Sequence, residues 1–339
     1  MKSLERVKKS LKGEQVDYLP CFPIIIATAC QLTGVKQRDY SLDPDIMATT
    51  LLKVQEMFNF DGIYVSRDNW IDYESLGGSM IFPEDDEPYG KEILLKSISD
   101  FKKLTIPNPN AANGMKTVLE AARIVVKKAG SKCYIQANID VGPFSMAAIL
   151  RGLQNFLTDL TTENENIIHD LLKFTTKVTI AYGEAMIKTG VHGIQFGDSV
   201  ASLVSPEMYK EFVLPYQEET INALSVDNCD LWIHICGKTN HILKYLKNLK
   251  IQGFEVDTQV KMPEAKRLLS EKIALKGNLD TTLLLRGTPN QVYQETQNII
   301  KSGNFKTGVV ISPGCGVPRM TPYTNLEAMV KACKDFKFN

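Results

Sequence analysis

In the stretch LWIHICGKTN, residues 231–240, His234 and Cys236 lie two apart at the end of an apolar run. Side chains alternate between the two faces of a strand, so a strand here would put both on one face at its C-terminal end. Imidazole nitrogen and thiolate sulfur together suit a borderline-soft divalent ion such as zinc, which accepts both in tetrahedral geometry. A second segment, VVISPGCGVP, ends another apolar run with Pro313, Gly314, Cys315 and Gly316, a sharp turn that would expose the Cys315 sulfur. Three protein ligands with one open position is the catalytic arrangement of zinc, and four closed ligands the structural one. Packing is the competing explanation, because free cysteine is among the most buried residue types, and spacing alone leaves both open. The tail CGKTN mimics the end of a phosphate loop, but that motif needs glycine at position 232, where this chain has Trp232. His169, His241, Cys229 and Cys333 fall in or near helical patterns and read as structural.

Positioning these residues requires elements that converge. Eight short apolar or β-branched runs recur along the chain: YLPCFPIII, GIYVS, CYIQAN, GIQFGD, LWIHIC, GFEVD, IALKGN and GVVISPG. Helical spacing fills the intervals, as in DPDIMATTLLKVQEMFNF, where Ile46, Leu51, Leu52, Val54, Met57 and Phe58 share a broad face behind an Asp-Pro start. Residues 164–188 and 206–224 read the same way. Strands alternating with helices imply parallel βαβ units, and eight of them close most naturally into an α/β (β/α)8 TIM barrel, with a doubly wound sheet as the runner-up. Strand ends of a closed barrel meet at one axial mouth, so the separation of 79 positions from Cys236 to Cys315 is no obstacle. A polar insertion at about 75–110, rich in Gly, Pro and Asn, is expected to form loops over one mouth. No internal repeat or linker interrupts the chain, and residues 1–339 are read as one domain.

The totals narrow the function classes. Lysines plus arginines equal aspartates plus glutamates at 39 each, so no overall field draws the chain to nucleic acid or an anionic membrane. Small-molecule and protein partners are favoured, and no basic-aromatic stripe suggests nucleic acid. The N-terminus is charged and lacks the apolar core of a secretory signal, which makes a cytoplasmic location the expectation. Seven scattered cysteines, an odd number, argue against a disulfide framework.

These residues carry a resemblance over almost the whole length. SLKGEQVDYLPCFP and SLVSPEMYKEFVLPY resemble two segments of the uroporphyrinogen decarboxylase superfamily. HICGKTN and SPGCGVPRMTPYTNLEAM are more specific, being similar to the zinc-binding segments of its corrinoid-dependent methyltransferases. The resemblance implies a (β/α)8 barrel, Zn²⁺ held by His234, Cys236 and Cys315, and methyl transfer between a corrinoid and a small thiol, methyl ether or methylamine. Glu74 in DYESLGG aligns with a carboxylate of that branch, which implies a fourth, displaceable ligand or a group behind the ligands; a solvated loop acid is the alternative. Base-off corrinoid domains resemble one another in an Asp-x-His-x-x-Gly loop, and no histidine here has aspartate two residues before it, so a partner corrinoid protein is expected to bring that cofactor.

Other candidates follow from strand ends. Asp198, after the fourth run, should reach the mouth to orient an imidazole or contact substrate, or else cap a turn. Asn138 and Asp140 end the third run and could touch substrate; Trp70 and Tyr73 could wall the pocket. The main rival is a metal-free decarboxylase of the same superfamily. That branch has an arginine-containing stretch after the first strand, whereas PCFPIIIATACQLTG holds neither arginine nor lysine for porphyrinogen carboxylates. A non-catalytic metal-binding accessory is a further alternative.

Overall fold

The computed structural model describes residues 1–269 and 272–338. Seven parallel strands run in sequential order: β1 (Gly62–Val65), β2 (Tyr134–Val141), β3 (Gly193–Gly197), β4 (Asp230–Ile235), β5 (Gly253–Val256), β6 (Ala274–Leu279) and β7 (Val309–Pro313). Each is buried along nearly its full length, as expected of strands covered on both faces. Seven of the eight expected runs are therefore regular strands.

The first run, YLPCFPIII, is the exception, and its prolines explain why. Pro20 and Pro23 have no N–H to give to a ladder, so the segment is limited to an isolated bridge between Cys21 and Ile311. It still fills the eighth position. Phe22 N–H donates to Ile311 O at 2.9 Å, Ile311 N–H to Pro20 O at 2.8 Å, and on the other side Asp61 N–H donates to Cys21 O at 2.9 Å. The ring thus closes as a TIM-like barrel through an irregular stave.

Two apolar regions hold the ring. The larger lies between the strands and the surrounding helices, and the smaller fills the barrel floor with Phe22, Tyr134, Trp232, Ala274 and Val310, closed by Val7 and Leu11 of the helix Ser3–Leu11. The helix expected behind Asp43 spans Pro44–Phe58, with the Asp43 carboxylate accepting from Asp45 and Ile46 N–H. Residues 206–224, read as one helix, form two, Pro206–Phe212 and Leu214–Leu224; Pro215 cannot donate back into the preceding turn. The insertion after residue 75 forms a short hairpin, Met80–Ile81 with Tyr89–Gly90, and a 3₁₀ turn at Ile98–Lys103. No helix among the described residues is long and apolar enough to cross a membrane.

Candidate metal centre at the barrel mouth

The alternation of β4 sends Trp232 into the floor, His234 to the level above it, and Cys236, just past the strand end, to the mouth. Gly237 follows at φ 83°, a left-handed conformation that lets the chain leave the barrel directly after the cysteine. Cys315 comes from the turn after β7. A side chain at Gly314 would strike the Thr258 backbone nitrogen at 2.5 Å, so glycine there lets the Cys315 loop lie against the turn after β5.

These elements bring together His234, Cys236 and Cys315, whose donor atoms all lie within 4.8 Å of one another. His234 Nε2 is 2.8 Å from Cys236 Sγ, and the two sulfurs are 3.5 Å apart. A tetrahedral zinc with bonds of about 2.0–2.3 Å sets its ligand pairs about 3.5–3.8 Å apart, so the sulfur pair fits such an ion while the imidazole is drawn closer. Hydrogen bonding from Cys315 holds the Cys236 thiol below the ordinary thiol range, whereas the Cys315 thiol is pushed well up by its bond to Cys236 and by burial. Burial alone would lower the His234 imidazole, but Cys315 and the Glu255 carboxylate outweigh it and raise it. Among the described residues no other group of three or more His, Cys, Asp or Glu side chains gathers in this way.

Beneath the three donors lies a set of buried polar side chains not anticipated from the sequence. His234, Glu255 and Lys276 are Cα partners on adjacent strands and so point inward side by side. Glu255 Oε2 is 3.5 Å from His234 Nδ1, and its Oε1 accepts from Lys276 Nζ at 3.0 Å and Gln136 Nε2 at 3.1 Å. Lys276 Nζ also donates to Gln136 Oε1 at 2.8 Å and lies 4.1 Å from the centre of the Phe22 ring. Burial lowers the Lys276 ammonium, and Glu255 works against that. Tyr64 extends the network by donating to Gln195 Oε1 at 2.8 Å. One signal was available: Glu255 and Lys276 are the single charges within the strands Gly253–Val256 and Ala274–Leu279, and a charge inside a barrel must find a partner.

A cavity of about 460 Å³ opens over the cluster, lined in part by Tyr64, Asn138, Gln195, Ser199, Glu87 and Arg319 besides the three donors. Glu87 comes from the insertion, which therefore contributes to the mouth. A larger cavity of about 580 Å³ lies between the helices Met262–Leu268 and Pro289–Ser302, but no histidine or cysteine lines it, so the donor chemistry points to the smaller one.

The remaining candidates separate. Asn138 lines the cavity, and its Oδ1 is buried without a partner. Asp140 does not line it: β2 bulges between Asn138 and Val141, Asp140 takes a left-handed φ of 65°, and its carboxylate accepts from Asp72 N–H at 2.6 Å. Burial and the nearby Asp68 charge raise the Asp140 carboxyl to about 8. Glu74 lies outside the donor cluster, its carboxylate 2.6 Å from Arg67 Nη1. Asp198 is fully buried, with one oxygen accepting from Ser145 N–H at 2.8 Å and the other from Gln217 Nε2 at 2.9 Å; burial raises its pKa. It ties the helix Pro143–Arg151 to the strand end. Trp70 and Tyr73 pack edge to face, 5.4 Å apart, rather than lining the cavity. His169 bonds Tyr216 at 2.6 Å and His241 bonds Val204 O at 3.1 Å, both structural partnerships.

Comparison with known proteins places this architecture. The family model for uroporphyrinogen decarboxylase (URO-D) matches residues 2–336. The methylcobamide:CoM methyltransferase of Methanosarcina acetivorans is 30% identical, over 98% of each chain. A uroporphyrinogen decarboxylase of Methylobacillus flagellatus is 24% identical, over 87% of this chain and 84% of its own. Among solved structures, a methyltransferase from Methanosarcina mazei superposes with a TM-score of 0.88 at 23% identity, covering 98% of each chain, which supports the barrel fold. With a family match running almost end to end, the chain belongs to the uroporphyrinogen decarboxylase family.

Proposed function

We propose that this chain is a zinc-dependent methyltransferase that moves a methyl group between a corrinoid carried by another protein and a small thiol, methyl ether or methylamine. The observation that carries it is the convergence of one imidazole and two thiols, with donors within 4.8 Å of one another, on the wall of an open cavity. The names of the relatives, methylcobamide:CoM methyltransferase foremost, favour a thiol as the acceptor.

His234, Cys236 and Cys315 would hold the ion beside the cavity they line. Bound there, Zn²⁺ supplies Lewis acidity that keeps an acceptor sulfur as thiolate near neutral pH or polarises the heteroatom of a methyl donor. Glu255, 3.5 Å behind Nδ1, is placed to fix the His234 ring so that Nε2 faces the mouth, with Lys276 and Gln136 holding the carboxylate. Asp198 contributes by anchoring the helix and strand end around the site, and Asn138 offers an unpaired carbonyl to substrate. In the thiol direction the sulfur attacks the methyl carbon, the S–C bond forms as the Co–C bond breaks, the electron pair stays with the corrinoid, and the thiol proton leaves to solvent. The open mouth is the face over which a corrinoid protein would dock.

The decarboxylase reading would leave three converging metal donors without a role. It also supplies a single arginine in the cavity for a substrate bearing many carboxylates. Metal analysis of the purified protein beside His234→Ala and Cys315→Ala tests the proposal. The expected result is one zinc per chain, lost or strongly weakened in both variants, and methyl transfer from methylcobalamin to a thiol that disappears with it. Freshly reduced protein that neither contains nor takes up zinc would overturn it.

A further inference from the structure

All seven cysteines are free, and five of them, Cys21, Cys30, Cys133, Cys229 and Cys333, are buried at 5% exposure or less, out of reach of a reagent in solvent. Cys236 and Cys315 are the exceptions. Both are partly exposed, both line the open cavity of about 460 Å³, and their sulfurs stand 3.5 Å apart. Two bonded sulfurs lie about 2.0 Å apart, so the pair needs to close by only roughly 1.5 Å to join. Cys236 sits just past the end of β4 and Cys315 in the turn after β7, so neither sulfur is held inside a strand. A side chain added at Gly316 would meet nothing within 4 Å, which leaves room beside Cys315 for the shift. The two uses of these sulfurs exclude each other. A divalent ion takes them as thiolates, whereas a bond between them removes both sulfur donors and leaves the His234 imidazole alone, too little to hold zinc.

We infer that Cys236 and Cys315 form a reversible dithiol–disulfide pair, oxidised by a small disulfide that enters the cavity, so that the centre is switched off by loss of its metal and restored by reduction. Loss of the metal rests on the proposed zinc centre; the cross-link itself stands on the two sulfurs and their access to the cavity. One thiol loses its proton to solvent, and its sulfur attacks a sulfur of the small disulfide, forming a mixed disulfide as one small thiolate leaves and takes up a proton. The second cysteine, deprotonated in turn, attacks its neighbour's sulfur, so the Cys236–Cys315 bond forms as the second small thiol leaves. The protein gives up two electrons and two protons, and the small disulfide is reduced to two thiols. From the zinc-loaded centre the thiolates react directly, and the ion is released in place of the two protons.

Incubation of the freshly reduced, zinc-loaded protein with bis(2-hydroxyethyl) disulfide, a small neutral reagent, tests this, read by free-thiol count, bound zinc and peptide mass mapping. The Cys236 and Cys315 thiols are expected to disappear together, with release of the zinc, a chain lighter by two hydrogen atoms and one pair of peptides joined through these two residues. Dithiothreitol with added zinc should restore both thiols and the metal. Cys315→Ser should stop one step earlier, at a mixed disulfide on Cys236 that leaves the chain heavier by one reagent unit. Native protein that ends as separate mixed disulfides, keeps both thiols free, joins either sulfur to a different cysteine, or holds its zinc after the cross-link forms would overturn the inference. The same treatment separates the two proposals. A Cys236–Cys315 cross-link in protein that neither contains nor takes up zinc would sustain the redox pair while the zinc reading fails. Zinc-dependent methyl transfer in protein whose two sulfurs never join would do the reverse.

Discussion

Two polar layers lie one above the other in the barrel, and they treat their hydrogen-bonding capacity in opposite ways. In the lower layer Tyr64, Gln136, Gln195, Glu255 and Lys276 are tied to one another, and the buried charges face each other at 3.0 Å. In the upper layer capacity is left over: Asn138 Oδ1 and Arg319 Nε have no partner, and the two thiols and the imidazole have chiefly each other. A buried polar group left unpaired costs about 1–3 kcal/mol, a cost that a molecule entering the cavity could recover at Asn138 and Arg319. The tied layer instead supports what stands on it. His234 stands between them, with Nε2 facing up to sulfur and Nδ1 3.5 Å from Glu255 Oε2 without a hydrogen bond.

The largest test of this division is Lys276→Met. Removing the ammonium leaves Glu255 buried and unpaired, which should cost about 3–5 kcal/mol in urea unfolding of the metal-free protein. Cys315→Ala, measured in the same metal-free state, should cost clearly less, since a partly buried neutral sulfur is lost rather than a buried charge orphaned. Equal losses in the two variants would erase the distinction between the layers.

A pH slope probes the carboxyls beside the mouth. Asp140 is raised from 3.8 to about 8 in the folded chain, so its contribution to stability is complete below pH 4 and is lost as pH rises through about 8. The slope from one such group is at most about 1.4 kcal/mol per pH unit. Asp140→Asn should flatten the fall in unfolding free energy between pH 5 and pH 8.5. An unchanged slope would mean that Asp140 titrates normally and that the bulge in β2 does not bury its charge.

The smallest effect is expected from Tyr64→Phe, which deletes one hydroxyl donor to Gln195 while keeping the ring. About 1 kcal/mol of stability should be lost, with zinc content unchanged. Loss of zinc in this variant would show that the lower layer governs metal affinity through more than Glu255.

Much of this site was legible because it depends on local rules. Period-two alternation put His234 and Cys236 on one face, and Gly-flanked Cys315 at the end of an apolar run marked a strand terminus. Asn138 was reachable on the same grounds, whereas Asp140, two residues on, was not: the bulge reverses the face, and no residue in QANIDV announces it. Glu74 and Asp198 carried the right chemistry at the right strand ends, yet Arg67, seven residues before Glu74, engages one carboxylate, and Ser145 and Gln217, from other parts of the chain, engage the other. The prolines of the first run were visible throughout, and they account for the single irregular stave.

The sequence by itself determined the alternation of strand and helix, carried the family resemblance in its motifs, and offered His234, Cys236 and Cys315 as candidate donors, because periodicity and donor chemistry are written residue by residue. Only the tertiary structure decided that Glu255 and Lys276 meet beneath His234, that Asp140 turns away from the cavity, and that Arg319 reaches it with Nε unpaired. These depend on register between strands and on which distant groups claim which hydrogen bonds, and both are set by closing the barrel rather than by any one segment.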